Sequence, residues 1–243
     1  MASYFLGFGA TQLDATYYGQ ELVLEKSISD IDKMERIAKE QNFEILSFKN
    51  EKATVGKFRA NMDTLSDVIE PGATLWFYFS GYGSRVLNFA QKPLNTYCFA
   101  DGQIAHFELL NWIAGFRKDV NVIVMLDCSH FPQTGGKTLP LSITEQIADD
   151  GEVCASIYIN LPRKMRGGQN IIFALACQKD ELAHEGVFTE AIAEAYLENK
   201  DANLADFWDN VEKHSEAEQH PRLVFRPKNG FGSRLKKRIF YTE

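Results

Sequence analysis

Apolar and polar positions in the first two-thirds of the chain alternate between short apolar runs and stretches with helical spacing, a pattern that requires crossover connections and a parallel sheet covered on both faces. Residues 2–9 read as the first strand. Ile28, Ile31, Met34, Ile37 and Ala38 recur three and four residues apart, which predicts a helix capped by Ser27 or Ser29 and ending near Asn42. A short strand over 43–48 follows. Thr54 suits the cap of a second helix carrying Phe58, Met62, Leu65, Val68 and Ile69, and Pro71-Gly72 marks the turn into an apolar central strand at 75–79.

After an irregular stretch, helical spacing returns over 107–116, and the β-branched run at 120–126 suits a strand buried on both faces. Residues 131–169 read as an exposed connection with one strand near 156–160. A buried strand at 170–177, helices near 187–198 and 203–217, and a last strand at 223–225 complete the pattern. At the end, Leu235, Ile239 and Tyr241 alternate with basic residues as in a terminal strand with a solvated face.

The chain has 243 residues, of which 45% are hydrophobic and 24% charged, within the globular range and consistent with one domain over 1–243. Its formal charge of −7 argues against a nucleic-acid partner, because phosphate binding relies on a cationic surface. No apolar run approaches the roughly 18 residues of a membrane span, and the first residues lack a signal-peptide pattern, so no membrane partner is expected. Cys98, Cys128, Cys154 and Cys177 are far apart, which suggests neither a zinc site nor a disulfide framework and fits a reducing, cytoplasmic setting.

In open parallel sheets, functional groups gather at the carboxyl ends of strands. Two such ends stand out: Phe79-Ser-Gly-Tyr-Gly83 and Asp127-Cys-Ser-His130. They resemble the Y/F-S-G-H-G and D-x-C-H-S-G segments of the caspase and metacaspase family of cysteine proteases, including its prokaryotic members, the orthocaspases. Further matches follow in order. Ser29-Asp-Ile-Asp-Lys-Met34 resembles the family's N-D-V-x-x-M helix, and Pro71-Gly72 its P-G-D turn. Ala176-Cys-Gln-Lys-Asp-Glu181 with Gly186-Val-Phe-Thr189 resembles S-A-C-x-x-x-E and G-x-F-T, and Gln219-His-Pro221 a closing Q-x-P.

The resemblance implies a caspase-like three-layer αβα sandwich on a mostly parallel sheet of about six strands. Residues 1–130 would form a large-subunit-like part, 131–169 the connection and 170–243 a small-subunit-like part. It also puts Tyr82 where the family has its catalytic His and Ser129 where it has its catalytic Cys. A thiol of pKa about 8.5 beside an imidazole of about 6.5 ionises readily, whereas a phenol of about 10 accepts no proton from a hydroxyl at pH 7. Losing nucleophile or base costs a serine protease on the order of a million-fold in turnover. The expectation is therefore a pseudoprotease that remains an uncut single chain. The alternative is slow cleavage after Arg or Lys through Ser129 with His130, or through Cys128, although Cys128 should face the core if Ser129 faces the cleft. His106 and His184 read as exposed polar surface.

The family's primary specificity pocket is an acidic slot for Arg or Lys, which the resemblance assigns to Asp30 and Asp127, with Ser80 and Ser27 nearby. Asp30 equally suits a helix N-terminus. The partners implied are basic peptide or protein segments, or an active relative. Calcium, which many metacaspases bind through an I-x-D-D-E-L segment, is not expected, because this chain has Ile104-Ala-His-Phe-Glu-Leu109 there. Nor do Asp149, Asp150 and Glu152 approach calcium's roughly six to eight oxygen ligands. No metal or other cofactor is expected.

Overall fold

The computed structural model describes residues 1–19, 21–87, 93–117, 119–128, 130–131, 170–178, 181, 183–217, 219–226 and 235–240. In chain order the elements are β1 (Tyr4–Gly9), α1 (Ala15–Tyr18), α2 (Ser27–Glu40), β2 (Glu44–Lys49), α3 (Val55–Val68), β3 (Thr74–Ser80), β4 (Gly83–Leu87) and β5 (Pro93–Phe99). They continue with β6 (Gly102–Ala105), α4 (His106–Gly115), β7 (Asn121–Asp127), β8 (His130–Phe131), β9 (Asn170–Leu175), α5 (Val187–Glu198), α6 (Leu204–Ser215) and β10 (Arg222–Arg226).

Six strands form the main sheet in the order β10-β9-β7-β3-β1-β2, parallel except where β10 runs against β9. Successive strand side chains point to opposite faces, so a run that is apolar throughout feeds two cores. Leu75, Phe77 and Phe79 of β3 join Val122, Val124 and Leu126 of β7 beneath α3 and α4. Trp76 and Tyr78 join Ile123 and Met125 beneath α2, α5 and α6. The result is the expected caspase-like αβα sandwich.

Gly9 sets the distance between α2 and the sheet. A Cβ there would sit 2.8 Å from Ile31 Cγ1 and 3.0 Å from the Ser27 carbonyl oxygen. The bare backbone lets the first turn of α2 lie against the carboxyl end of β1, beside the end of β3, where Gly9 and Ser80 are register partners.

The stretch before α4, expected to be irregular, instead contributes β4, β5 and β6 to a second sheet of order β6-β5-β4-β8. These strands are short and pair as antiparallel hairpins, so register rather than hydrophobic period defines them. His106 is not surface: it is buried at the start of α4, its Nδ1 hydrogen-bonded to the Tyr97 hydroxyl. Nor do residues 235–240 form a strand. They make turns that bury the adjacent Ile239 and Phe240, the latter ring 4.4 Å from Trp76, an arrangement an alternating strand does not allow. The expected strand at 156–160 lies outside the described residues. Among the described residues, no helix is long and apolar enough to cross a membrane.

Candidate functional site

Strand alternation builds the site. Ser80 ends β3 and Asp127 ends β7; they are register partners and share the face that carries Tyr78 and Met125. Both therefore point toward α2 and α5. Asp30, in the first turn of α2, is fully buried, and its Oδ2 accepts a hydrogen bond from Ser80 Oγ at 3.0 Å. Its Oδ1 has no hydrogen-bond partner among the described residues, and the same holds for the buried hydroxyl of Ser27. Ser27 is not a helix cap: the cap position is Lys26, without a side-chain bond, and Ser29 instead donates to the Lys26 carbonyl.

Asp127, 6% exposed, is held from the other side. Its Oδ2 accepts from the backbone N–H of Thr189 at 3.2 Å and from the Thr189 hydroxyl. That N–H lies in the first turn of α5, among the donors a helix leaves unpaired, where the dipole favours a negative charge. The Tyr78 hydroxyl lies 2.5 Å from Thr189 Oγ1, which orients the Thr hydroxyl from behind. Gly186, at φ +78°, provides the left-handed turn into α5. Gly186-Val-Phe-Thr189 is thus a device that aims one helix end at Asp127.

Asp127 borders a cavity of about 320 Å³, and Asp30 lies behind its Ser80 and Ser27 lining. Its walls are Val23, Leu24 and Ser27 on one side and Ala183 to Gly186 on the other, with Ser80, Tyr82, Asp127 and Cys128 between them. Burial pushes Asp30 up to about 6, against the opposing pull of the Ser80 hydroxyl and of Lys33 and Lys26. Burial, reinforced by the charge of Asp30, pushes Asp127 up to about 7, with Thr189 opposing. Among the described residues neither takes part in an ion pair; Lys33 is engaged by Glu190.

Glu185 is a residue that sequence reasoning missed. It borders the same cavity, accepts a hydrogen bond from the Lys26 backbone N–H, and adds negative charge that raises Asp30, Asp127 and Tyr82. Its wall is braced by the Gln219-His-Pro221 segment. Gln219, fully buried, accepts from the His184 N–H at 2.7 Å and donates to the Ala176 carbonyl at 2.9 Å. Glu181 pins the same loop by accepting from the Gln178 N–H at 3.0 Å and the His220 N–H at 3.1 Å.

The Tyr82 hydroxyl, which the resemblance would put in the place of a catalytic His, donates to the Val23 carbonyl at 2.8 Å. Burial foremost, then Glu185, raises this phenol above its ordinary value of 10.0, so it stays protonated at neutral pH and serves as a donor. Ser129 lies outside the described residues. Cys128 is 6% exposed and packs in the core beneath α3 and α4, although it also borders the cavity. His184, as expected, is exposed, and it lines the same cavity.

A family profile described as the caspase domain of peptidase C14 matches residues 14–229. No curated protein sequence matches the chain. Among solved structures, that of protein GSU0716 from Geobacter sulfurreducens is similar, with a TM-score of 0.81 at 18% identity over 100% of this chain and 99% of that one. At that identity the likeness speaks for the fold alone. Since the profile covers most of the chain and includes both strand ends that build the cavity, the protein belongs to the caspase-domain family.

Proposed function

We propose that this protein is a caspase-domain pseudoprotease whose acidic cavity holds an Arg or Lys side chain of a basic protein segment without cutting it. The observation that supports this most is the pair of buried carboxylates Asp127, which borders the cavity, and Asp30, bonded to the Ser80 that borders it; among the described residues neither has an ion-pair partner. A buried charge is costly unless paired, and a guanidinium in the cavity brings charge and donors to Asp127, beside the Asp30 whose charge raises it. Tyr82 supports the absence of turnover, since a phenol already donating to a carbonyl offers no base to a nucleophile at 129. The bound segment belongs to a basic partner protein or to an active relative, consistent with the net charge of −7.

Residual hydrolysis is the competing reading, and the position of Cys128 at the cavity edge is what favours it. Its burial opposes it, because a buried thiol is inert. Incubation with Arg- and Lys-ended fluorogenic peptides, beside Ser129→Ala and Cys128→Ala, separates the two. The pseudoprotease reading expects the same background release from all three proteins; release that disappears in either variant would refute it.

A further inference from the structure

The segment that walls the cavity on the α2 side is lightly held. Val23 is 55% exposed, and Glu21, Glu25 and Lys26 are also exposed. Among the described residues its ties to the preceding chain include a small antiparallel ladder, with Leu24 N–H to the Thr11 carbonyl at 2.7 Å, Leu13 N–H to the Leu22 carbonyl at 3.2 Å and a bridge between Gln12 and Val23, and an exposed bond from Gln12 Nε2 to Glu21 Oε1 at 3.3 Å, while Leu22 packs partly against the core. Across the cavity, the Lys26 N–H reaches Glu185. What ties the segment to the end of the main sheet is Tyr82, which follows β3 by two residues, packs partly against the core and donates to the Val23 carbonyl.

We infer that Tyr82 is a positioning residue, a latch that holds the 21–26 strap as a wall over the cavity bordered by Asp127 and so retains a bound cationic side chain. This rests on the reading that the cavity takes such a side chain. The chemistry of position 82 favours a phenol for the task. Its hydroxyl sits farther from the backbone than either imidazole nitrogen and, being protonated at neutral pH, always has a hydrogen to give to a carbonyl. Its ring buries apolar surface at the same time, so the strap is pinned by a group anchored in the core. An exposed strap of this kind has a low opening free energy, and removing one tie shifts that equilibrium directly.

The test compares wild type with Tyr82→Phe, which keeps the ring and loses the donor, and with Tyr82→His. Amide exchange at Leu13 and Leu24 is expected to quicken by about two- to tenfold in both variants, the span of one hydrogen bond. Amides of β3 and β7 report unchanged folding. Dissociation of an arginine-ended peptide should quicken by a similar factor while association changes little. Unaltered exchange at Leu13 and Leu24 overturns the latch. Faster exchange with unaltered dissociation overturns its role in retention. If wild type does not bind the peptide at all, the reading of the cavity falls, and the exchange at Leu13 and Leu24 alone decides the inference.

Discussion

At the scale of single residues, Asp30 and Asp127 tie function to pH. Their ordinary value is 3.8, and in the folded chain they stand near 6 and 7. Between those values the folded state holds protons that the unfolded chain releases. Their contribution to stability is therefore fully present below about pH 4 and is lost as pH rises through 6 and 7. The empty protein should melt at a lower temperature at pH 8 than at pH 5 by virtue of this pair. Asp127→Asn keeps an oxygen for both Thr189 donors but removes one charge. At pH 8 it should melt higher than wild type by roughly 2–4 °C, equivalent to about 1 kcal/mol, and the difference should vanish near pH 4. Melting curves across that range check both statements. Asp30, Asp127 and Ser80 were legible in the sequence because each belongs to a strand end or helix start with a motif around it. Glu185 and Thr189 act through approaches made only in the folded chain, 159 residues from Lys26 and 62 from Asp127, so no local signal marks the partnership.

At the scale of elements, the site depends on how closely α2 approaches β1 and on how firmly the 183–186 wall is braced. Gly9→Ala forces a methyl against Ile31 and the Ser27 carbonyl. It should cost about 1–3 kcal/mol in denaturant unfolding and weaken binding of a basic peptide by moving Asp30 away from Ser80. Gln219→Ala removes both the acceptor of the His184 N–H and the donor to the Ala176 carbonyl. Amide exchange at His184 should quicken, with a stability loss of about 1–3 kcal/mol. The longer helices α2 to α6 were readable because each carries an apolar stripe, as in α3, which begins after Thr54, whose hydroxyl accepts from the Lys57 N–H at 3.1 Å; the four-residue α1 is too short to show one. The second sheet was not, since β4, β5 and β6 are held by hairpin pairing and by a parallel contact to β8 that no local period announces. The same limit explains the tail, where Ile239 and Phe240 are buried by distant partners such as Trp76 rather than by alternation.

At the scale of the whole molecule, a caspase-domain scaffold surrounds a cavity bordered by the Asp127 carboxylate and the Tyr82 phenol. Fold and family were legible in the order of the motifs; the physical state of the cavity, with the raised carboxyl of Asp127, the raised carboxyl of Asp30 behind Ser80, and Glu185 at its border, was not. On the proposed reading, this cavity binds a cationic side chain and leaves the peptide intact. Calorimetric titration at pH 7.5 with an arginine-ended peptide and its citrulline-ended counterpart, followed by mass analysis of the recovered peptide, tests it most directly. The account predicts saturable binding of the arginine peptide, at least about tenfold weaker binding by citrulline and by Asp127→Asn, and full recovery of uncut peptide. Equal affinity for arginine and citrulline, or recovery of cleaved fragments, would contradict it.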